Sequence, residues 1–262
     1  MKSLVLVLSV AFFCFGAVNW EKPKDSGETV KVHESKGFAV VELFTSEGCS
    51  SCPAADDLLH KIKQEAEKSG NKVYTLAFHI DYWNYLGWID EFSSPEYTQR
   101  QKAYSRKFGS GVYTPQMVIN GRWEFIGSNS VKAHSNIEDE LIRKPRVQVE
   151  LDHILALKER DLEVNYKIEG QSEDSDLIFA LVENRLERGI MRGENRGRTL
   201  KHESVVRLLQ TVEIDQKSGQ WKVKIPLDIK IANSGLIVLV QEKDNGEIIA
   251  ASEIKQLSKK GL

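Results

Sequence analysis

The sequence predicts two successive folding units, an α/β domain followed by an all-β sandwich. Three observations indicate this division. Apolar runs of strand length alternate with helical patterns as far as residue 143, short alternating or apolar segments of strand length follow from Val147 onward, and Pro145 separates the two patterns. We therefore expect one domain over residues 37–145 and a second over residues 146–262.

The first domain is predicted to alternate strands and helices. The apolar run Phe38–Phe44 has the length of a buried strand, and the periodic apolar residues of Cys52–Ser69 predict a helix that ends at Gly70. The remaining predicted elements are a strand at 72–80, a helix at 94–108, a strand at 112–119, a strand at 122–126 after the hairpin turn Asn120-Gly121, and a helix at 131–143. This order is the thioredoxin-like order, in which helices cover both faces of a central sheet.

The second domain is predicted to contain only strands. About seven short strands in about 115 residues are typical of an immunoglobulin-like sandwich. The predicted strands are 147–151, 162–168, 177–182, 205–212, 221–225, 236–240 and 247–254.

The start of the chain indicates export. Lys2 precedes the uncharged run Leu4–Val18, which has 15 residues, whereas a spanning helix needs about 20. We therefore predict a signal peptide over residues 1–18 and a flexible polar leader over residues 19–36, with an uncleaved anchor as the alternative. The expected location is the periplasm or the secreted fraction, with no membrane span after cleavage.

Composition sets few limits on function. Lys and Arg together number 36 and Asp and Glu number 38 among 262 residues, which gives a net charge of −2. A nearly neutral chain gives no reason to expect a nucleic-acid partner. The sequence leaves the oligomeric state open.

Two cysteines with two residues between them are the main candidate for chemistry. Cleavage of the signal would remove Cys14 and leave Cys49 and Cys52 as the only thiols, in a compartment that favours disulfides. So small a loop constrains the unfolded chain little, which argues against a purely structural disulfide. A helix start lowers thiol pKa values, so we predict that an exposed Cys49 attacks and Cys52 resolves the mixed disulfide, with no other cofactor.

Two residues are predicted to support this pair. Pro115 opens a strand, where a proline following Thr114 is able to adopt a cis bond and shape a substrate groove beside Tyr113; an ordinary trans proline is the alternative. Glu42 lies on the strand that leads to the cysteines, either as a buried general base or as a solvated carboxylate.

The stretch after the second strand is rich in aromatic residues. In open α/β sheets, ligands bind beyond the carboxyl ends of the strands. We expect His79, Asp81 and Trp83 to bind substrate beside Cys49, although the aromatic residues could instead pack this loop onto the next helix. A long segment with four arginines, 187–203, is predicted to be a loop that either binds an anionic group or is simply solvated.

Several motifs together resemble a known family. The segments FAVVELFTSEGCSSCPAAD, HIDYWNYLGWID, RQKAYSRKFG, VYTPQMVING and GENRGRTLKHESVVR look like those of a secreted bacterial thioredoxin-like family catalogued as a domain of unknown function. The resemblance covers residues 37–255 and implies an exported protein with a redox-active cysteine pair. It names no substrate, and Ser50-Ser51 between the cysteines differs from the Gly-Pro of thioredoxin.

The sequence therefore predicts an exported thiol–disulfide oxidoreductase that acts on protein or small-molecule disulfides. Its expected partner is a protein thiol or disulfide. The alternative is a binding protein without redox turnover, either for peptides or for copper held by Cys49, Cys52 and His79.

Overall fold

A computed structural model describes residues 37–156 and 160–257 of the chain. The predicted signal peptide and leader lie outside these residues. The described residues form one compact unit. Among them, no helix combines the length and the apolar character that crossing a membrane requires.

Thirteen strands, three α-helices and two short 3₁₀ turns make up the described part of the chain. The helices are α1 (Pro53–Ser69), α2 (Pro95–Phe108) and α3 (Ser130–Ile142), and the turns are Asn84–Leu86 and Ile231–Asn233. The strands are β1 (Ala39–Thr45), β2 (Val73–His79), β3 (Gln116–Ile119), β4 (Trp123–Ile126), β5 (Val147–Ala156), β6 (Asp161–Gly170), β7 (Ser175–Glu183), β8 (Leu186–Gly189), β9 (Thr199–His202), β10 (Val205–Glu213), β11 (Ser218–Lys224), β12 (Ser234–Glu242) and β13 (Ile248–Ile254).

Local sequence signals explain the helices that position the site. Helix α1 begins with Pro53, and a proline fits this position because an N–H there would have no hydrogen-bond partner within the helix. Gly70, with a left-handed φ of 69°, follows the last residue of the helix. Ser94 caps the start of α2: its hydroxyl accepts the amide N–H of Glu96 at 3.2 Å. The predicted order of elements up to α3 is therefore confirmed.

The predicted fold class is nevertheless wrong. A single mixed sheet of eight strands runs β13-β12-β7-β10-β2-β1-β3-β4, so four strands of the second half extend the sheet of the first half. Only three helices accompany it, and the protein is mostly β. It is not a thioredoxin-like α/β domain followed by an immunoglobulin-like domain.

The join between the two halves lies at β2 and β10. These strands run parallel, with Val205 opposite Ala77. The amide N–H of Ala77 donates to the carbonyl oxygen of Ser204 at 2.8 Å, and the hydroxyls of Thr75 and Ser204 are 2.8 Å apart. The division at residues 145 and 146 into separately folding domains stays a prediction.

Three apolar cores surround the large sheet. Helices α1 and α3 cover one face of β1, β2 and β3, and helix α2 covers the opposite face. The small sheet β11-β6-β5 covers one face of β7 and β12, where Phe179 stacks on Trp221 with ring centroids 4.5 Å apart. A strand alternates its side chains between two faces, so residue parity along β1 and β2 decides which helix each side chain meets.

The predicted arginine-rich loop is a hairpin. Strands β8 and β9 pair with each other and enclose residues 190–198, which we call the cover loop. The amide N–H of Ile190 donates to Arg198 O at 2.9 Å, and that of Gly197 donates to Ile190 O at 2.8 Å. Its arginines and glycines gave no strand pattern, so the pairing that fixes its base was not expected.

Candidate functional site

Cys49 and Cys52 lie in the turn between β1 and α1. Their sulfurs are joined in a disulfide, with the Cα atoms 5.4 Å apart. The amide N–H of Cys52 donates to Cys49 O at 3.2 Å, and that of Asp56 donates to Cys52 O at 3.1 Å. Cys52 therefore continues the geometry of α1 backwards by one residue, with φ −72° and ψ −36°. The pair sits at the helix start that its sequence context predicted.

The expectation that Cys49 is exposed is wrong. Cys49 is 1% exposed and Cys52 is 0% exposed. The cover loop lies on this turn: the side-chain amide of Asn195 donates to Cys49 O and to Glu47 O, both at 2.9 Å, and the Glu194 carboxylate accepts the amide N–H of Ser50 at 2.9 Å. The cover loop, from a distant part of the sequence, thus binds the backbone of the cysteine turn.

Three predicted substrate-binding residues, Thr114, Pro115 and Trp83, lie near the start of α1 or the turn before it. The Thr114–Pro115 bond is cis, as predicted. A Cβ atom added to Gly127 would lie 3.0 Å from Pro115 Cβ and 3.2 Å from Ala55 Cβ, so Pro115 faces the first turn of α1. The indole N–H of Trp83 donates to Thr114 Oγ1 at 2.7 Å.

Trp83 also explains the glycine that precedes the first cysteine. A Cβ atom on Gly48 would lie 3.1 Å from Trp83 Cβ, which is closer than a side chain tolerates without adjustment. Trp83 therefore joins the cysteine turn to the segment before β3.

The structure does not bring Glu42 to the cysteines. Its side chain points to the α2 face of β1, where its carboxylate accepts from Arg100 Nε at 2.6 Å and from the Tyr104 hydroxyl at 2.5 Å. Val41, Leu43 and Thr45 point to the α1 face instead. Glu42 is fully buried, as the general-base interpretation required, but its partners are on the wrong side of the sheet.

Three further predicted site residues have other partners. The Asp81 carboxylate accepts the Thr98 hydroxyl of α2 at 2.6 Å, and the Tyr113 hydroxyl donates to Glu124 of β4 at 2.7 Å. His79 is fully buried on the α1 side of β2, with Nδ1 2.7 Å from the Asp90 carboxylate. His79 therefore lies behind the disulfide and not on an exposed rim.

His79 and Asp90 each favour the charged form of the other. Burial lowers the pKa of His79, but the Asp90 carboxylate beside it, with Asp56 and Glu47, raises that pKa above the ordinary value of 6.5. Burial raises the pKa of Asp90, and the neighbouring His79 brings it below its ordinary value.

A second buried carboxylate adjoins the cysteine turn. Glu47 is fully buried and accepts the indole N–H of Trp88 at 2.8 Å, with His202 Nε2 at 3.2 Å and Arg188 Nε at 3.6 Å. Arg188 lies on β8 and His202 on β9, the two strands of the hairpin that carries the cover loop. Glu47 thus ties that hairpin to the residues immediately before Cys49.

Sequence reasoning missed most of these polar neighbours. Asp56 could have been found from its position one helical turn after Cys52. Asn195 and His202 carried no such signal, because their approach to the cysteine turn depends on where the β8–β9 hairpin lies.

The copper set considered from the sequence is not assembled as three free ligands. Cys49 and Cys52 are bonded to each other, and one nitrogen of His79 is paired with Asp90. Within residues 37–156 and 160–257, no group of three or more His, Cys, Asp or Glu side chains is arranged to hold a metal ion.

Fold and site together define a mixed-sheet protein with a loop-covered cysteine pair at a helix start. A family model described as "Protein of unknown function (DUF1223)" matches residues 40–241. The chain belongs to this family, which confirms the expected resemblance to a family of unknown function. A search of curated proteins found no match.

Solved structures include a similar chain. An X-ray crystal structure of a protein from Agrobacterium tumefaciens is 29% identical, with a TM-score of 0.64, and the match covers 86% of this chain and 96% of that one. A domain of the outer membrane lipoprotein Omp28 from Porphyromonas gingivalis matches 44% of this chain and 98% of its own, at 12% identity and a TM-score of 0.29. A TM-score this low does not indicate a shared fold.

Proposed function

We propose that this protein is an exported thiol–disulfide oxidoreductase whose redox centre is the Cys49–Cys52 pair. The observation that carries the proposal is the position of the pair: two cysteines within bonding distance at the start of α1, with the first residue of the helix a proline. Amide N–H groups at a helix start favour thiolate over thiol, and a low thiol pKa promotes exchange.

The surroundings of the pair support exchange with a partner. Trp83 packs against Gly48 of the cysteine turn and donates to Thr114, and the polar cover loop binds the backbone of the same turn. The cover loop holds Cys49 O and Ser50 N, which are backbone groups that a bound peptide would use. Exchange with a protein therefore requires the cover loop to move, and we propose a protein thiol or disulfide as the partner.

Cysteine variants of the purified exported protein test the proposal. We expect wild type to exchange with glutathione disulfide and to catalyse reduction of insulin by dithiothreitol. Cys49→Ser should abolish both reactions because it removes the attacking sulfur. Cys52→Ser should stop turnover and accumulate a mixed disulfide on Cys49, visible by mass spectrometry.

The exposed Lys61, on α1 and away from the cover loop, offers a control. Lys61→Ala should exchange like wild type. The proposal fails if wild type and both cysteine variants give the same rates, or if the trapped species forms equally with either cysteine removed.

A further inference from the structure

A group of ionisable side chains lies on the α1 side of the sheet, near the disulfide; all of them are buried except Asp56, which is half-buried. Its five members come from five separate parts of the chain, and none is used by the exchange proposed above. We call it the buried cluster, and it consists of Glu47, Asp56, His79, Asp90 and His202.

Asp56 is the member nearest to the cysteines along α1. Cys52 has helical backbone angles, and the Asp56 amide already donates to its carbonyl oxygen. Side chains four residues apart on a helix share one face, with Cβ atoms about 5–6 Å apart. The Asp56 carboxyl is held toward the sheet by the Thr45 hydroxyl at 3.2 Å. The geometry thus puts one carboxyl on the side of α1 that carries the Cys52 sulfur.

Two histidines lie close enough to Asp56 to interact with its charge. The rings of His79 and His202 are 4.9 Å apart and nearly perpendicular. Each has one nitrogen beside a carboxylate, while His79 Nε2 and His202 Nδ1 are buried without a hydrogen-bond partner among the described residues. An unsatisfied buried polar atom costs about 1–3 kcal/mol. The two unpaired ring nitrogens therefore do not stabilise the fold.

The charges that face Asp56 act in opposite directions. Burial raises the pKa of its carboxyl above the ordinary value of 3.8; His202 and His79 lower it, the Thr45 hydroxyl lowers it, and Asp90 raises it. Glu47 faces the same two histidines, and Arg188 of β8 faces Glu47.

We propose that Asp56 donates and accepts the proton of Cys52 during thiol–disulfide exchange, with His79 and His202 as positioning residues that set its charge. The inference rests on the proposed exchange function. It replaces Glu42, which lies on the other face of the sheet, with a carboxyl on the same face as the cysteines.

The step balances as follows when the reduced protein acts on a substrate disulfide. The Cys49 thiolate attacks one substrate sulfur, forms a mixed disulfide and releases the first substrate thiolate. The Cys52 thiol then gives its proton to the Asp56 carboxylate, attacks Cys49 Sγ and releases the second substrate thiolate. The protein loses two electrons to the substrate, and the Asp56 proton passes to solvent or to the departing thiolate. Opening of the disulfide runs the same steps backwards.

Asp56→Asn tests the inference, with the exposed neighbour Asp57→Asn as the matched control. Reduced protein is mixed with glutathione disulfide over about pH 4–9, and acid quenching with mass spectrometry separates mixed from closed disulfide. General-base catalysis contributes about 10²–10⁴-fold, so we expect closure in Asp56→Asn to be slower by about 10²-fold at pH 7. Formation of the mixed disulfide and the rates of Asp57→Asn should match wild type.

The pH profile distinguishes proton transfer from a structural role. The advantage of wild type over Asp56→Asn should vanish below the pKa of Asp56 and shrink near pH 8.5, the ordinary pKa of a cysteine thiol, where Cys52 ionises unaided. His202→Gln and Thr45→Val each remove a group that lowers the Asp56 pKa. Both should therefore move the acid limb of the profile to higher pH.

Failure of this inference differs from failure of the proposed function. Closure in Asp56→Asn at the wild-type rate and with the wild-type pH profile overturns the inference while exchange persists. If Asp56→Asn does not fold, an acid limb unmoved in Thr45→Val and His202→Gln overturns it equally. A wild-type protein that forms neither mixed nor closed disulfide removes the proposed function and this inference with it.

Discussion

Glu42 and Asp56 show that the face of the sheet on which a carboxylate lies decides whether it can act on the cysteines. Glu42 and Asp56 are both directed inward, yet Glu42 meets Arg100 and Tyr104 on the α2 face and Asp56 meets Thr45 on the α1 face. Alternation along β1 dictates the first outcome, since an even-numbered residue cannot share the face of Val41 and Leu43. The sequence predicted that Glu42 would be near the cysteines along the chain but not which face it would occupy.

At the residue scale, we expect Glu42 to matter for stability and not for exchange. Glu42→Gln leaves the Arg100 guanidinium buried without its carboxylate, which should lower the free energy of unfolding by about 3 kcal/mol. Urea denaturation measures this change. The exchange rate of the folded variant should equal that of wild type.

The exposed Glu150→Gln serves as the control and should change stability by less than about 0.5 kcal/mol. A normal free energy of unfolding with slow disulfide closure in Glu42→Gln would contradict the assignment and return the general-base role to Glu42.

At the scale of elements, local patterns predicted most helices and strands. The apolar spacing of α1, Pro53 at its start and Gly70 at its end are all visible in the sequence. Strand β3 was predicted four residues too early, since Gln101 of α2 donates to Tyr113 O and holds the preceding segment away from the ladder. The hairpin β8–β9 was missed, because short polar strands lack a periodic signal.

The cover loop yields a prediction at this scale. Asn195 donates two hydrogen bonds to the cysteine turn, each worth about 1 kcal/mol. Asn195→Ala should therefore favour the open loop by about 2 kcal/mol, or about thirtyfold. We expect a comparable gain in the rate at which a bulky phosphine reduces the disulfide.

The exposed Arg196→Ala, in the same loop, should reduce at the wild-type rate. If Asn195→Ala also reduces no faster than wild type, the cover loop does not limit access to Cys49.

At the scale of the whole molecule, the pairing of β2 with β10 places strands from both sides of the predicted boundary in one sheet. The change from helical to alternating patterns after Pro145 is real, since every strand from β5 onward lies beyond it. A change of pattern, however, does not reveal which strand edges meet. Long-range strand pairing joins the two halves, and side-chain hydrogen bonds of His202 and Asn195 join them again at the cysteine turn.

This continuity predicts that the first half does not fold alone. A fragment of residues 37–145 would expose the edge of β2 and lose the second-half side chains that share a core with Phe78 and Tyr97, such as Val206 and Ile237. We expect the fragment to show no cooperative unfolding in urea, whereas the full chain should unfold in one transition by both fluorescence and circular dichroism. Co-expression with residues 146–262 should restore a folded complex, because the missing edge and core then return. A fragment that unfolds cooperatively at the midpoint of the full chain would show instead that the boundary after residue 145 separates two independent domains, and that the shared sheet contributes little to the stability of the cysteine site.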